Sequence, residues 1–131
     1  MIVIDTSAII AILLGEPASD KLVDIITDYK IRVMSAVSFV EATMVIVSRF
    51  PQNGRQELEL LLEKLAISID NVDKKQAMFA IEAFIRYGKG RYPAALNMGD
   101  CFSYALAKDY NAPLLFKGDD FIKTDIKIVN K

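Results

Sequence analysis

The constraint that does most to limit how this chain folds is the order in which short apolar runs and amphipathic stretches alternate. Ile2-Val3-Ile4 is a β-branched run that stops at Asp5, the pattern of a strand buried on both faces. Residues 7–14 read as a short helix closed by Gly15, and Glu16-Pro17 puts an acid and a proline where a helix start favours both. Leu22, Ile25, Ile26 and Tyr29 follow at i, i+3, i+4, i+7, one apolar face of that helix. A strand over Ile31 to Met34 precedes a helix capped by Ser35 or Ser38 and stopped by Pro51. Leu58, Leu61, Leu62 and Leu65 repeat the helical spacing ahead of a strand over Ala66 to Ile69. Asp73 opens a helix that turns Ala77, Ala80, Ile81 and Phe84 inward and ends near Gly88. Residues 88–99 read as loop, Asp100 to Tyr110 as helix, Pro113 to Phe116 as strand, and Ile126 to Val129 as a last strand. This alternation predicts one α/β domain over residues 1–131, a central parallel sheet of about four to five strands flanked by helices.

What chemistry such a domain can carry is narrowed by what it lacks. The chain has no histidine and one cysteine, Cys101. That excludes Ser–His–Asp and Cys–His catalysis, histidine bases, zinc sites built on histidine or several thiolates, and an internal disulfide. Carboxylates, hydroxyls, amines or a bound ion are left. The net charge of −1 gives no global basic field, so any contact with nucleic acid needs a local patch. The apolar start, Met1 to Leu14, has no basic leader, is interrupted by Asp5, and falls short of the roughly 20 apolar residues of a membrane span. A cytoplasmic protein without membrane contact is expected.

Several acids stand where ligands bind. Asp5 lies just beyond the carboxyl end of the first strand, the side of a parallel sheet where sites form, although Asp is also a favoured helix cap. Glu41 sits in a helix apolar on nearly all sides, between Val37 and Met44 on one face and with no Lys or Arg within four residues. A buried, unpaired carboxylate costs several kcal/mol, roughly, unless something compensates it. Asp100 opens another apolar helix, where an acid is ordinarily worth about 0.3–1 kcal/mol against the helix dipole. Asp119 and Asp120 follow the strand ending at Phe116, at the same kind of exit as Asp5, though an Asp pair after Gly118 also suits a plain turn. Converging carboxylates repel one another and favour protonation; a hard divalent cation with oxygen ligands removes that conflict and suits phosphodiester hydrolysis.

Four blocks, Val3-Ile4-Asp5-Thr6-Ser7-Ala8, Glu41 in its apolar helix, Gly99-Asp100-Cys101-Phe102-Ser103-Tyr104-Ala105-Leu106-Ala107, and Leu114-Leu115-Phe116-Lys117-Gly118-Asp119-Asp120-Phe121, run in order along the whole chain. Together they resemble the PIN-domain ribonucleases, and more narrowly the VapC toxins of prokaryotic toxin–antitoxin pairs. The resemblance implies a metal-dependent endoribonuclease with Asp5, Glu41, Asp100 and a fourth acid at the catalytic site. Asp120 is the choice for the fourth, with the neighbouring Asp119 as the alternative. It further implies that Asp5, Asp100 and Asp120 bind Mg²⁺ or Mn²⁺ and that Ser7 supports the carboxylates. The implied substrate is tRNA, rRNA or mRNA, and the implied partners are a VapB-like antitoxin and a second copy in a homodimer. The residues also suggest where RNA lies: Arg86-Tyr87-Gly88-Lys89-Gly90-Arg91-Tyr92 interleaves cations, aromatics and glycines, with Lys89 and Arg91 as candidate phosphate contacts. Two other readings remain: a catalytically inactive PIN-like assembly module, and an aspartate-based phosphatase. The second would want an Asp two residues beyond Asp5, where this chain has Ser7.

Overall fold

Ile2–Ile4 forms strand β1, which alternates its side chains between two cores because successive residues of a strand face opposite sides. Ile2 and Ile4 join one apolar cluster and Val3 the other. The computed structural model describes residues 1–90 and 93–129. Its elements are β1, α1 (Thr6–Leu13), α2 (Ser19–Thr27), β2 (Arg32–Ser35), α3 (Ala36–Arg49), α4 (Gly54–Lys64), β3 (Ser68–Asp70), α5 (Lys74–Tyr87), α6 (Met98–Tyr110) and β4 (Leu114–Leu115).

The four strands form one parallel sheet in the order β3-β2-β1-β4. Val3 is the pivot, registered with Val33 of β2 on one side and Leu114 of β4 on the other. The chain steps outward from β1 to β3, then returns to the opposite side of β1 to lay down β4. The strand order therefore reverses between β1 and β4, and a parallel sheet opens a crevice beyond its carboxyl ends at such a point. Helices α1 to α4 cover one face around Ile9, Ile26, Met34, Ile46 and Leu58. Helices α5 and α6 cover the other with Leu96, Tyr104, Leu106, Phe116 and Phe121.

Several sequence expectations change. The third strand starts at Ser68 rather than Ala66, because Ala66 has φ +51 and closes α4 by donating from its amide to the Glu63 carbonyl at 3.0 Å. Residues 126–129 make a single parallel bridge, Leu114 to Ile128, instead of a strand. The third change concerns α5, which buries Gln76, Ala80 and Ala83 and leaves Ile81 and Phe84 about half exposed, at 51% and 47%. Small residues face α6 and allow close approach, while the larger apolar side chains are displaced outward. Arg32 ties the far end of the sheet together, donating to the carbonyls of Tyr29, Leu65 and Thr27 where α2 and α4 finish. No helix among the described residues is long and apolar enough to cross a membrane.

Candidate active site

Asp5 is the helix cap that the sequence offered, and it also lines a cleft beyond β1. It caps α1 from extended backbone, its Oδ2 accepting from the Ser7 amide at 3.0 Å and from the Ser7 hydroxyl at 2.7 Å. The Ser7 Oγ in turn accepts from the Lys117 amide at 2.9 Å, so one hydroxyl bridges the exits of β1 and β4. Asp5 Oδ1 accepts from the Ser103 hydroxyl at 2.5 Å. A carboxylate has about four acceptor sites; three are taken here.

Asp100 is likewise a cap and more than a cap. Asn97 opens α6, and the two residues form a capping box: the Asp100 amide donates to Asn97 Oδ1 at 2.8 Å and the Asn97 amide to Asp100 Oδ2 at 3.1 Å. This engages one oxygen of a side chain that is only 6% exposed. Burial pushes the Asp100 carboxyl up to about 7, against the pull of the Asn97 amide, and the charges of Asp5, Asp120 and Glu41 add to the rise.

Glu41 departs from its expected surroundings. Helix α3 is not enclosed: Val40 and Met44 are 55% and 65% exposed, and only Ser38, Ala42 and Ile46 are buried. Glu41 is half-buried at the edge of that inner face. Its carboxylate rests over Gly99, where a Cβ would come within 2.6 Å of the Glu41 Cδ. The absence of a side chain at residue 99 lets α6 begin against Glu41.

The four acids line one cleft of about 370 Å³ beyond the ends of β1 and β4, with Ser7 and Lys117 beside them. Asp120 belongs to this cleft, whereas Asp119 lines a separate hollow with Leu114, Ile122 and Ile128. The Lys117 ammonium pairs with Glu16 at the rim. Among the described residues no group of three acids is placed to hold a metal ion by itself. Magnesium requires none, because it takes one or two carboxylates and completes its shell with water and phosphate oxygens. An all-oxygen donor set around a buried, mutually repelled carboxyl fits a hard divalent cation.

Lys89 is exposed and does not line the cleft, and Arg91 and Tyr92 lie outside the described residues. Arg86 is engaged, 3.6 Å from Asp125 and 4.9 Å from the Tyr87 ring centre, while Tyr87 packs on Tyr104. Two hydroxyls escaped sequence reasoning: Ser103, on Asp5, and Ser38, whose Oγ is 2.9 Å from that of Ser103. Ser38 precedes Glu41 by three residues and Ser103 follows Asp100 by three, which is the one signal that marked them.

The PIN domain family model matches residues 2–127. This chain belongs to the PIN-domain family. Within it, Ribonuclease VapC of Mycolicibacterium smegmatis is 49% identical over 128 residues, covering 98% of this chain and 99% of that one. Solved structures share the fold at low identity. VapC20 of Mycobacterium tuberculosis, described as a sarcin–ricin loop cleaving toxin, has a TM-score of 0.78 at 15% identity, covering 100% of both chains. VapBC2 of Rickettsia felis, bound to a DNA fragment from its promoter, gives 0.77 at 14% identity, covering 99% of this chain and 98% of that one.

Proposed function

We propose that this PIN-domain protein is a metal-dependent endoribonuclease, the toxin of a VapBC-type pair, which hydrolyses RNA phosphodiester bonds in the acidic cleft. The observation that carries the reading is Asp100, buried beside three other carboxylates and pushed up to about 7. Mg²⁺ or Mn²⁺ at Asp5, Asp100 and Asp120 would relieve that repulsion and supply charge neutralisation at the phosphoryl oxygens. Ser7 and Ser103 orient Asp5. Glu41, at the cleft edge against Gly99, accepts a proton from the attacking water. Lys117 offers a cation at the rim for a substrate phosphate, and Lys89 with Arg91 remains a candidate RNA contact.

The near-full-length likeness to a VapC ribonuclease supports RNA as the substrate, and the VapBC2 assembly supports a VapB-like antitoxin as partner. The cytoplasm is where we expect the protein to meet both. A second copy is proposed to cover the outer face of α5 and α6, where Ile81, Phe84, Ile85 and Met98 line an apolar groove of about 500 Å³. Exposed apolar surface of this kind marks contact with another protein.

The test is cleavage of labelled tRNA and single-stranded RNA by the purified protein. Cleavage should require Mg²⁺ or Mn²⁺, stop in EDTA, and fall roughly 100-fold or more in Asp5→Ala, Asp100→Asn or Asp120→Ala. Asp119→Ala should cut at close to the wild-type rate. Cleavage that persists in EDTA, or survives unchanged in Asp100→Asn, would overturn the reading.

A further inference from the structure

We propose that the buried hydroxyls of Ser103 and Ser38 position the Asp5 carboxylate for cation binding, an inference that rests on the reading of the cleft given above. Both serines are 0% exposed. A hydroxyl in such surroundings costs free energy unless it is bonded, and alanine would fill either place with less demand. The two form a directed chain instead. Ser103 has one proton, and the Asp5 carboxylate can only accept, so Ser103 Oγ donates to Asp5 Oδ1 at 2.5 Å. That leaves Ser38 Oγ to donate to Ser103 Oγ across 2.9 Å. Thr6 closes the arrangement from α1, its hydroxyl donating to the Ser38 carbonyl at 3.1 Å.

The positions in the chain give this pair its meaning. Ser38 and Glu41 are three residues apart on α3, and Asp100 and Ser103 are three apart on α6, so each serine shares a helix face with an acid of the cleft. Asp5 follows β1 directly. The hydroxyl chain therefore joins the three segments that supply Asp5, Glu41 and Asp100, one helical turn from the acids themselves. Ser7 fixes Oδ2 of Asp5 from the cap side and Ser103 fixes Oδ1 from the core side. Together they leave the carboxylate one orientation. Ser103 is a positioning residue, since it reaches the reaction only through Asp5.

Calorimetric titration of the full-length protein with Mn²⁺, alongside thermal melts, tests this. Ser103→Ala should stay folded and weaken Mn²⁺ binding by about tenfold or more, the scale on which groups that orient metal ligands act. Ser103→Thr, which restores a hydroxyl, should recover most of the affinity. Ser38→Ala should lose less, in the same direction, and decides the matter if Ser103→Ala does not fold. Folded serine variants with wild-type Mn²⁺ affinity would overturn the role of the hydroxyls while leaving the cleft reading intact, provided that Asp5→Ala has lost binding. Wild-type affinity in Asp5→Ala would remove the cleft reading, and this proposal with it.

Discussion

Gly99 has no side chain, yet it decides where Glu41 can sit. The Glu41 carboxylate occupies the space that a Cβ on residue 99 would take. That carboxylate is the far end of a flexible side chain, so Gly99→Ala should be tolerated by the fold, and alanine within a helix typically gains about 0.5–1 kcal/mol over glycine. RNA cleavage should nevertheless fall at least about tenfold, because a misplacement of order 1 Å at a reacting group is costly. Melting and cleavage measured on one preparation check this; wild-type cleavage would show that Glu41 need not lie over Gly99. At this scale Asp5 and Asp120 were legible at strand exits and Glu41 as an acid in an apolar segment, whereas Asp100 makes an ordinary first-turn cap and stood out only in company with the others. The enclosure expected around Glu41 does not hold, since α3 is open on the side of Val40 and Met44. Ser38 and Ser103 carried only their three-residue spacing from Glu41 and Asp100, because a serine within a helix has no periodic signature that distinguishes a buried hydroxyl from an exposed one.

The elements were read well wherever apolar spacing was strong, as in α2 and α4, whose buried residues Leu22, Ile26, Leu58 and Leu62 fall on the expected faces. Reading failed where tertiary contacts override spacing. The face of α5 is set by the small residues that fit against α6, and the segment after Phe121 is held by Tyr104 and Lys108 on Asp125 and by one bridge to Leu114, a pairing too short to make a strand. The first turn of α6 carries a consequence for pH. An unfolded aspartate titrates near 3.8, whereas Asp100 in the folded protein is pushed up to about 7. The folded state keeps this proton over an interval in which the unfolded state has lost it. The contribution of Asp100 to stability is thus fully present below 3.8 and is lost as pH rises through about 7. In metal-free buffer, the melting temperature of wild type relative to Asp100→Asn should fall between pH 4 and pH 7.5. A difference between the two that does not change with pH would contradict the burial argument.

On the scale of the whole molecule, a reversal of strand order beside β1 opens the crevice, and β1, α3, α6 and the turn after β4 each deliver one acid to it. The sequence foretold the parallel sheet but not its strand order, which depends on packing between distant segments. The proposed self-association belongs to this scale as well. Phe84→Glu should convert a dimer to a monomer by light scattering, and an unchanged mass would move the interface away from the α5–α6 groove. The central claim is that carboxylates from separate parts of the chain act as one cation site. Crystals soaked in MnCl₂ test it most directly, through anomalous scattering. An Mn²⁺ peak is predicted in the cleft, within about 2.0–2.4 Å of oxygens from at least two of Asp5, Asp100 and Asp120. No peak there, at an Mn²⁺ concentration that supports RNA cleavage, would contradict the account.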